Sequence, residues 1–377
     1  MNRIRILIVD GSSAMRQKLQ RLLDRDPDLE VVGAAANGHL ALARLPHQRP
    51  DLVLVDVAQP EMEGLKTLVA LREAYPILPV MIFSQLTGRG SQTTLDALQR
   101  GASACLLKPT SGDDLERCVS GELTEKIKSL CATRQARESE TLFSQRAEKP
   151  SVIAPLVVPV EPPQTNTSYE ISNPRQSVNF AEIVAIATST GGPNALASLL
   201  SSLPASFVTP IIVVQHMTSG FTKTLAESLR RQTGRNVREV ETTEPLDAAS
   251  VWIAPGGRHL VVHRSGATVQ VAPNDDPPEN SCCPSADVMF RSVADVFGSR
   301  CLAVMLTGMG CDGLAGCRTI RNAGGTILVQ DEASSISWGM PGQVAAAGLA
   351  DEVLSLTDLP QEICRRTSIP RVRRAQS

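Results

Sequence analysis

Short, unbroken apolar runs alternate with amphipathic stretches over two long parts of the chain. In the first part, residues 6–9, 30–33, 52–57, 80–83 and 105–107 read as strands, with helical spacing between them. The runs are continuous rather than alternating, as expected for strands covered on both faces. Residues 1–128 therefore predict five βα units around a parallel sheet. Residues 179–368 repeat the pattern, with strands expected at 183–187, 211–214, 251–254, 301–306 and 326–329 and helices at 221–231 and 287–297. Between the two parts the periodicity dissolves. Residues 129–178 hold a charged stretch and then Pro150, Pro155, Pro159, Pro162, Pro163 and Pro174, which predicts a linker. Within it, 152–158 is apolar enough to dock on a neighbouring domain, and 369–377 reads as a polar tail. The expected fold class is α/β, with two doubly wound parallel-sheet domains joined by a Pro-rich linker.

Composition adds limits. The 377 residues allow two to three domains, and 42% apolar with 3% aromatic residues excludes bulk disorder. A net charge of −2, with no basic excess in the second α/β part, argues against nucleic acid or a membrane surface as partner. Nine cysteines without a CxxC pair or a Cys/His cluster at zinc spacing suggest free thiols, the adjacent Cys282 and Cys283 included. The N-terminal apolar run is too short for a signal peptide and nothing later approaches eighteen apolar residues, so a cytoplasmic protein is expected.

Candidate chemistry clusters at strand ends. Asp10 follows the first strand, Asp56 the third, Ser84 ends the fourth and Lys108-Pro109 follows the fifth. A parallel sheet gathers these at its carboxyl edge, where ligands bind. Two carboxylates, a hydroxyl and an ammonium suit phosphoryl acceptance: Asp56 as nucleophile, Asp10 toward Mg2+, Ser84 and Lys108 toward the phosphoryl oxygens. With Val9-Asp10-Gly11-Ser12-Ser13-Ala14-Met15-Arg16, Leu86-Thr87-Gly88-Arg89-Gly90 and Leu107-Lys108-Pro109, residues 1–128 resemble the response-regulator receiver domain. The resemblance implies a flavodoxin-like fold, and it implies a second acid where Gly11 stands, a Met where Gln59 stands and an aromatic switch where Cys105 stands. Weak Mg2+ binding through Asp10 and Asp56 is the expectation.

In the second α/β part, 183–187 runs into Thr188-Ser189-Thr190-Gly191-Gly192-Pro193, two glycines at a helix start that leave backbone amides open to a phosphate or to an acyl-transfer oxyanion. The next strand delivers His216. A third ends in Thr307-Gly308-Met309-Gly310-Cys311-Asp312-Gly313. Ser189, His216 and Asp312 thus come from three strand ends and can assemble a nucleophile, a base and an orienter.

Together with Gln215-His216-Met217, Ala254-Pro255-Gly256 with His259, and Gly339-Met340-Pro341, this order resembles the catalytic domain of the chemotaxis protein-glutamate methylesterases, from about 180 to 360. The resemblance implies a Rossmann-like domain that hydrolyses glutamate methyl esters on methyl-accepting chemotaxis receptors and deamidates receptor glutamines. Ser189 would be nucleophile, His216 general base and acid, and Asp312 orienter, with Thr190 and the Met309 amide holding the oxyanion. No cofactor is expected for the esterase, and a chemotaxis histidine kinase is the expected phosphodonor. The family's Arg-Pro-Ser stretch is Cys283-Pro284-Ser285 here, which removes a basic residue near the substrate groove. The competing expectation is a phosphate- or nucleotide-binding signalling module without hydrolase activity, built on Gly191-Gly192. No Walker or dinucleotide fingerprint surrounds that pair.

Overall fold

The computed structural model describes residues 3–57, 63–85, 93, 96–98, 100–132 and 180–367. The expectations for Gln59, the 86–90 motif, residues 152–158 and the 369–377 tail lie outside the described residues.

The first domain is built from β1 (Ile4–Val9), α1 (Ser13–Leu23), β2 (Leu29–Ala35), α2 (Gly38–Gln48), β3 (Leu52–Val55), α3 (Glu63–Ala74), β4 (Val80–Ser84), β5 (Ala104–Leu107) and α4 (Gly112–Cys118). All five strands pair in parallel in the order β2-β1-β3-β4-β5. Order reverses between β1 and β3, so the ligand crevice lies where those two strands end, at Asp10 and Asp56. The β3 run Leu52–Val55 is wholly buried, as its unbroken apolar sequence requires. After α4 the chain makes a π turn (Val119–Leu123) and continues as helix over 124–132. The helix passes the expected linker start at 129 because Ile127, Leu130 and Cys131 are buried against this domain's core.

The second domain comprises β6 (Ile183–Thr188), α5 (Gly192–Ser202), β7 (Ile211–Gln215), α6 (Phe221–Thr233), β8 (Asn236–Glu239), β9 (Glu244–Pro245), β10 (Ser250–Ile253), β11 (His259–Ser265), β12 (Thr268–Asn274), α7 (Ala286–Phe297), β13 (Cys301–Met305), α8 (Leu314–Asn322), β14 (Thr326–Gln330), α9 (Gly339–Ala346), β15 (Glu352–Leu354) and α10 (Leu359–Thr367). Its sheet is parallel, ordered β15-β14-β13-β6-β7-β10-β8, with the direction of winding changing between β13 and β6. The loops after β6, β7 and β13 therefore open into one crevice. A small antiparallel sheet, β11-β12-β9, adds to the expected pair of parallel sheets. It went unforeseen because 259–265 and 268–274 alternate only weakly between apolar and polar positions.

The two domains touch. One cluster of buried apolar residues includes Leu98 of the first domain with Leu196 and Leu199 of α5. Asn194 Nδ2 donates to Leu98 O at 2.7 Å, and the Ser129 and Ser337 hydroxyls lie 2.9 Å apart. Ile336 of the second domain packs against the core of the first.

Candidate active site

Ser189 follows β6 on a turn fixed by its neighbours. Its N–H donates to Thr307 O (3.0 Å), its carbonyl accepts from Gly192 N (2.9 Å) and from Gln215 Nε2 (2.8 Å), and Thr188 Oγ1 donates to Thr307 O (2.8 Å). The ends of β6, β7 and β13 are thereby tied together around the serine. Gly191 has φ +83°, and a Cβ there would sit 2.7 Å from Ile336 side-chain carbons; at Gly192 it would sit 1.9 Å from Gln215 Oε1. Packing leaves no room for a side chain at either glycine, and the positive φ of Gly191 favours glycine in any case.

His216 is held from one side. Its Nε2 lies 2.8 Å from Asp312 Oδ2, and its Nδ1 lies 3.9 Å from Cys282 Sγ. An ionised carboxylate accepts only, so Nε2 carries the proton and Nδ1 keeps the lone pair.

Asp312 is seated on the start of α7. Oδ1 accepts from Ser285 Oγ (2.7 Å) and more weakly from Asp287 N (3.3 Å) and Asn280 Nδ2 (3.4 Å), while Oδ2 accepts from Ala286 N (2.6 Å). Burial alone would raise its pKa. The hydrogen bond and charge of His216, the Ser285 hydroxyl and the Ala286 amide outweigh that and hold it at about 2. Asp287 shows the opposite balance: burial pushes its pKa up, against a bond from Gly316 N and with the Asp312 charge adding to the rise.

Two donors on the loops around the serine make no hydrogen bond among the described residues. Among the described residues the buried Thr190 hydroxyl has no hydrogen-bond partner, and the Met309 N–H is taken up by none. Ser189 Oγ likewise has no hydrogen-bond partner there, His216 included. Ser189, His216, Met309 and Cys282 line one cleft of about 390 Å³, lined also by Cys105, Lys126 and other residues of the first domain. Thr190 lines a smaller recess opening from the same serine and histidine.

Sequence reasoning missed the residues that support Asp312. Ser285 is the helix-capping residue of α7, and a serine just before an apolar-periodic run is a recognisable signal for one. Nothing local points to Asn280. It and Ser281 both have positive φ, forming a tight turn in which Glu279 and Cys282 pair backbone to backbone. His259, fully buried, accepts from Ser285 N at 3.0 Å and faces Pro277 O at 3.0 Å, so it anchors this loop rather than facing the cleft. Burial pushes the Cys282 thiol up to about 12, and all nine cysteines are free.

In the first domain the four strand-end residues meet. Lys108 Nζ contacts Asp10 Oδ2 at 2.7 Å and also Asp56 Oδ2; Ser84 Oγ donates to Asp56 Oδ1 at 2.9 Å, and Ser12 N to Asp10 Oδ1 at 2.7 Å. Asp10, Lys108 and Ser84 are buried, and Asp56 keeps some exposure. Among the described residues no helix is long and apolar enough to cross a membrane.

Two family models match the chain, the response regulator receiver domain over residues 6–120 and the CheB methylesterase over residues 184–363. The chain is 43% identical, over 97% of its length and 99% of the relative's, to a protein-glutamate methylesterase/protein-glutamine glutaminase of Trichodesmium erythraeum. A protein of the same name from Nocardioides is 42% identical over 96% of this chain and 95% of its own. Among solved structures, the Thermotoga maritima CheB methylesterase catalytic domain is 36% identical and covers 49% of this chain and 98% of its own, with a TM-score of 0.48. At this identity over nearly the whole length, the chain belongs to the protein-glutamate methylesterase/protein-glutamine glutaminase family, a response-regulator receiver joined to a CheB methylesterase domain.

Proposed function

We propose that the protein is the chemotaxis methylesterase its family name describes, hydrolysing glutamate methyl esters, and deamidating glutamines, of methyl-accepting receptors. In this reading Ser189 Oγ attacks the side-chain carbonyl and His216 Nδ1 takes its proton, while Asp312 holds the ring through Nε2 and stabilises the imidazolium. The tetrahedral oxyanion accepts from the Thr190 hydroxyl and the Met309 amide. His216 returns the proton to the departing methanol or ammonia, and water then releases the acyl-enzyme by the same route in reverse. Catalytic hydrogen bonds often tighten only once substrate is bound, consistent with a Ser189 hydroxyl that makes none beforehand.

The observation that carries the reading is the buried, unpartnered Thr190 hydroxyl beside Ser189. An unmade hydrogen bond inside a protein is costly, and one aimed at a reacting atom stabilises charge there.

The receiver regulates from above the cleft. Asp56 accepts the phosphoryl group, from a chemotaxis histidine kinase, with Ser84 and Lys108 toward its oxygens. Two carboxylates converging on one ammonium provide hard oxygen donors for Mg2+, so Asp10 and Asp56 would hold the ion with waters completing its shell. When bound, Mg2+ neutralises the phosphoryl oxygens. Gly11 supplies no carboxylate, which weakens this site.

Methanol release from methylated receptor, measured with and without acetyl phosphate, tests both halves. Release should occur, should rise with acetyl phosphate and should vanish in Ser189→Ala. Release unchanged in a folded Ser189→Ala protein would end the assignment.

A further inference from the structure

Cys282 has no part in the proposed ester chemistry, yet its placement on the cleft rim is fixed by several contacts. The turn that carries it has two consecutive non-glycine residues at positive φ, Asn280 (+51°) and Ser281 (+61°). Such conformations persist only where the surroundings fix them. Glu279 and Cys282 exchange both backbone hydrogen bonds across the turn (3.1 and 2.8 Å), and Arg291 holds Glu279 through both carboxylate oxygens. Asn280 Nδ2 ties the turn to Asp287 at 2.8 Å. The result aims Cys282 Sγ at the one His216 nitrogen that Asp312 leaves free.

At 3.9 Å, the Sγ to Nδ1 separation is that of a long sulfur hydrogen bond. It suits two ligands of one zinc ion. With Zn–S of about 2.3 Å and Zn–N of about 2.0 to 2.1 Å at a tetrahedral angle, the two donor atoms stand about 3.6 Å apart. Behind the ring, the Asp312 contact to Nε2 completes a carboxylate–histidine–metal arrangement, which fixes the imidazole and raises its basicity as a ligand. Among the described residues, His216, Cys282 and Asp312 are the cluster whose donor atoms all lie within 4.8 Å. On the receiver side of the cleft Glu122 and Glu125 add negative charge, with Lys126 opposing.

We infer that Cys282 and His216 Nδ1, backed by Asp312, form a binding site for a thiophilic divalent cation such as Zn2+, and that its occupation reversibly switches the esterase off. Binding replaces the thiol proton, which leaves to solvent, by a metal–sulfur bond, and no electron changes hands. Water or the cleft's own oxygens fill the open positions. The inhibitory consequence rests on the reading of His216 as general base, because the metal takes the lone pair that would accept the Ser189 proton. The metal site itself does not depend on that reading.

The full chain, reduced and stripped with chelator, is titrated with Co2+ as a spectroscopic stand-in for zinc. One equivalent should produce thiolate-to-cobalt charge-transfer absorption, which zinc then displaces. Cys282→Ser should lose the band, while Cys283→Ser and Cys311→Ser should keep it. In methanol release, each variant read against its own metal-free rate, zinc should inhibit the unmodified protein and chelator should restore it. Cys282→Ser should need at least tenfold more zinc for half-inhibition. No cobalt band in the unmodified chain, or a band that survives Cys282→Ser, overturns the site. Stoichiometric binding that leaves methanol release untouched keeps the site and overturns His216 as the base.

Discussion

The receiver pocket and the esterase cleft are both gathered at the carboxyl edge of a parallel sheet, and both bring together polar residues from different strands. They differ in how completely those groups satisfy one another. In the receiver, Lys108 bridges Asp10 and Asp56, Ser84 and Ser12 occupy further carboxylate oxygens, and the resting pocket is balanced in hydrogen bonds, with one carboxylate charge left over for a cation. In the esterase, one acid is satisfied to excess while a hydroxyl and an amide beside the serine have no partner. A balanced pocket must be entered by an ion and a phosphoryl group that displace existing contacts. An unbalanced one waits for charge that arises only during reaction. The first is suited to switching and the second to catalysis.

The largest effect expected from this contrast is in the triad. Ser189→Ala, His216→Ala and Asp312→Ala should each lower kcat for methanol release about 10⁴-fold or more, and the double variants should lose little beyond the singles, since the three act as a unit. Additive losses would mean the residues work separately.

Next is Thr190→Val. Removing one oxyanion donor should cost about 10²- to 10³-fold in kcat with KM little changed. Because the hydroxyl is buried without a partner, denaturant unfolding should show the variant at least as stable as the parent. A destabilised but active Thr190→Val would identify the hydroxyl as structural.

Asp312 is the paired acid of the cleft, and its ionised form also contributes to stability. Its folded pKa of about 2 lies below the ordinary carboxylate value of 3.8. The stability it contributes is thus fully present above pH 4 and lost as pH falls toward 2. The shift corresponds to about 2 kcal/mol. Urea unfolding of the parent and Asp312→Asn between pH 5 and pH 2 should show the parent's advantage shrinking over that window; a constant difference would contradict it.

The smallest effect expected is at Gly11. Restoring a carboxylate by Gly11→Asp should tighten Mg2+ binding by about tenfold, some 1.4 kcal/mol, and raise the phosphorylated fraction with acetyl phosphate. Equal Mg2+ affinity and equal phosphorylation in the two proteins would show that Asp10, Asp56 and water already suffice.

Much of this architecture is legible in the chain because its information is local. Five unbroken apolar runs in each half specify strands buried on both faces, and β1, β3, β6, β7 and β13 all appear where such runs lie. Residues directly after strands in a parallel sheet must lie at one edge, so Asp10, Asp56, Ser84 and Lys108, and likewise Ser189, His216 and Asp312, were foreseeable as groups. The purpose of Gly191 and Gly192 was not. Sequence left them open to an anion, and only the packed structure shows Ile336 and Gln215 filling the space that a side chain would need.

The remaining features depend on partners far away in the chain. The Asp312 pKa is held low because His216, from another strand end, and Ser285 and Ala286, at a helix start about 26 residues earlier, converge on it. Which imidazole nitrogen is free follows from that convergence, and a periodicity of apolar residues carries no trace of it. The tight turn at Asn280 and Ser281 that aims Cys282, and the receiver helix whose Glu122, Glu125 and Lys126 face the cleft, are likewise set by contacts between elements. Backbone pattern and burial are properties of neighbouring residues, so the sequence determined the two sheets and the strand ends where chemistry gathers. Charge state, proton position and access are set by the summed field and packing of distant groups, so the tertiary structure alone decided them.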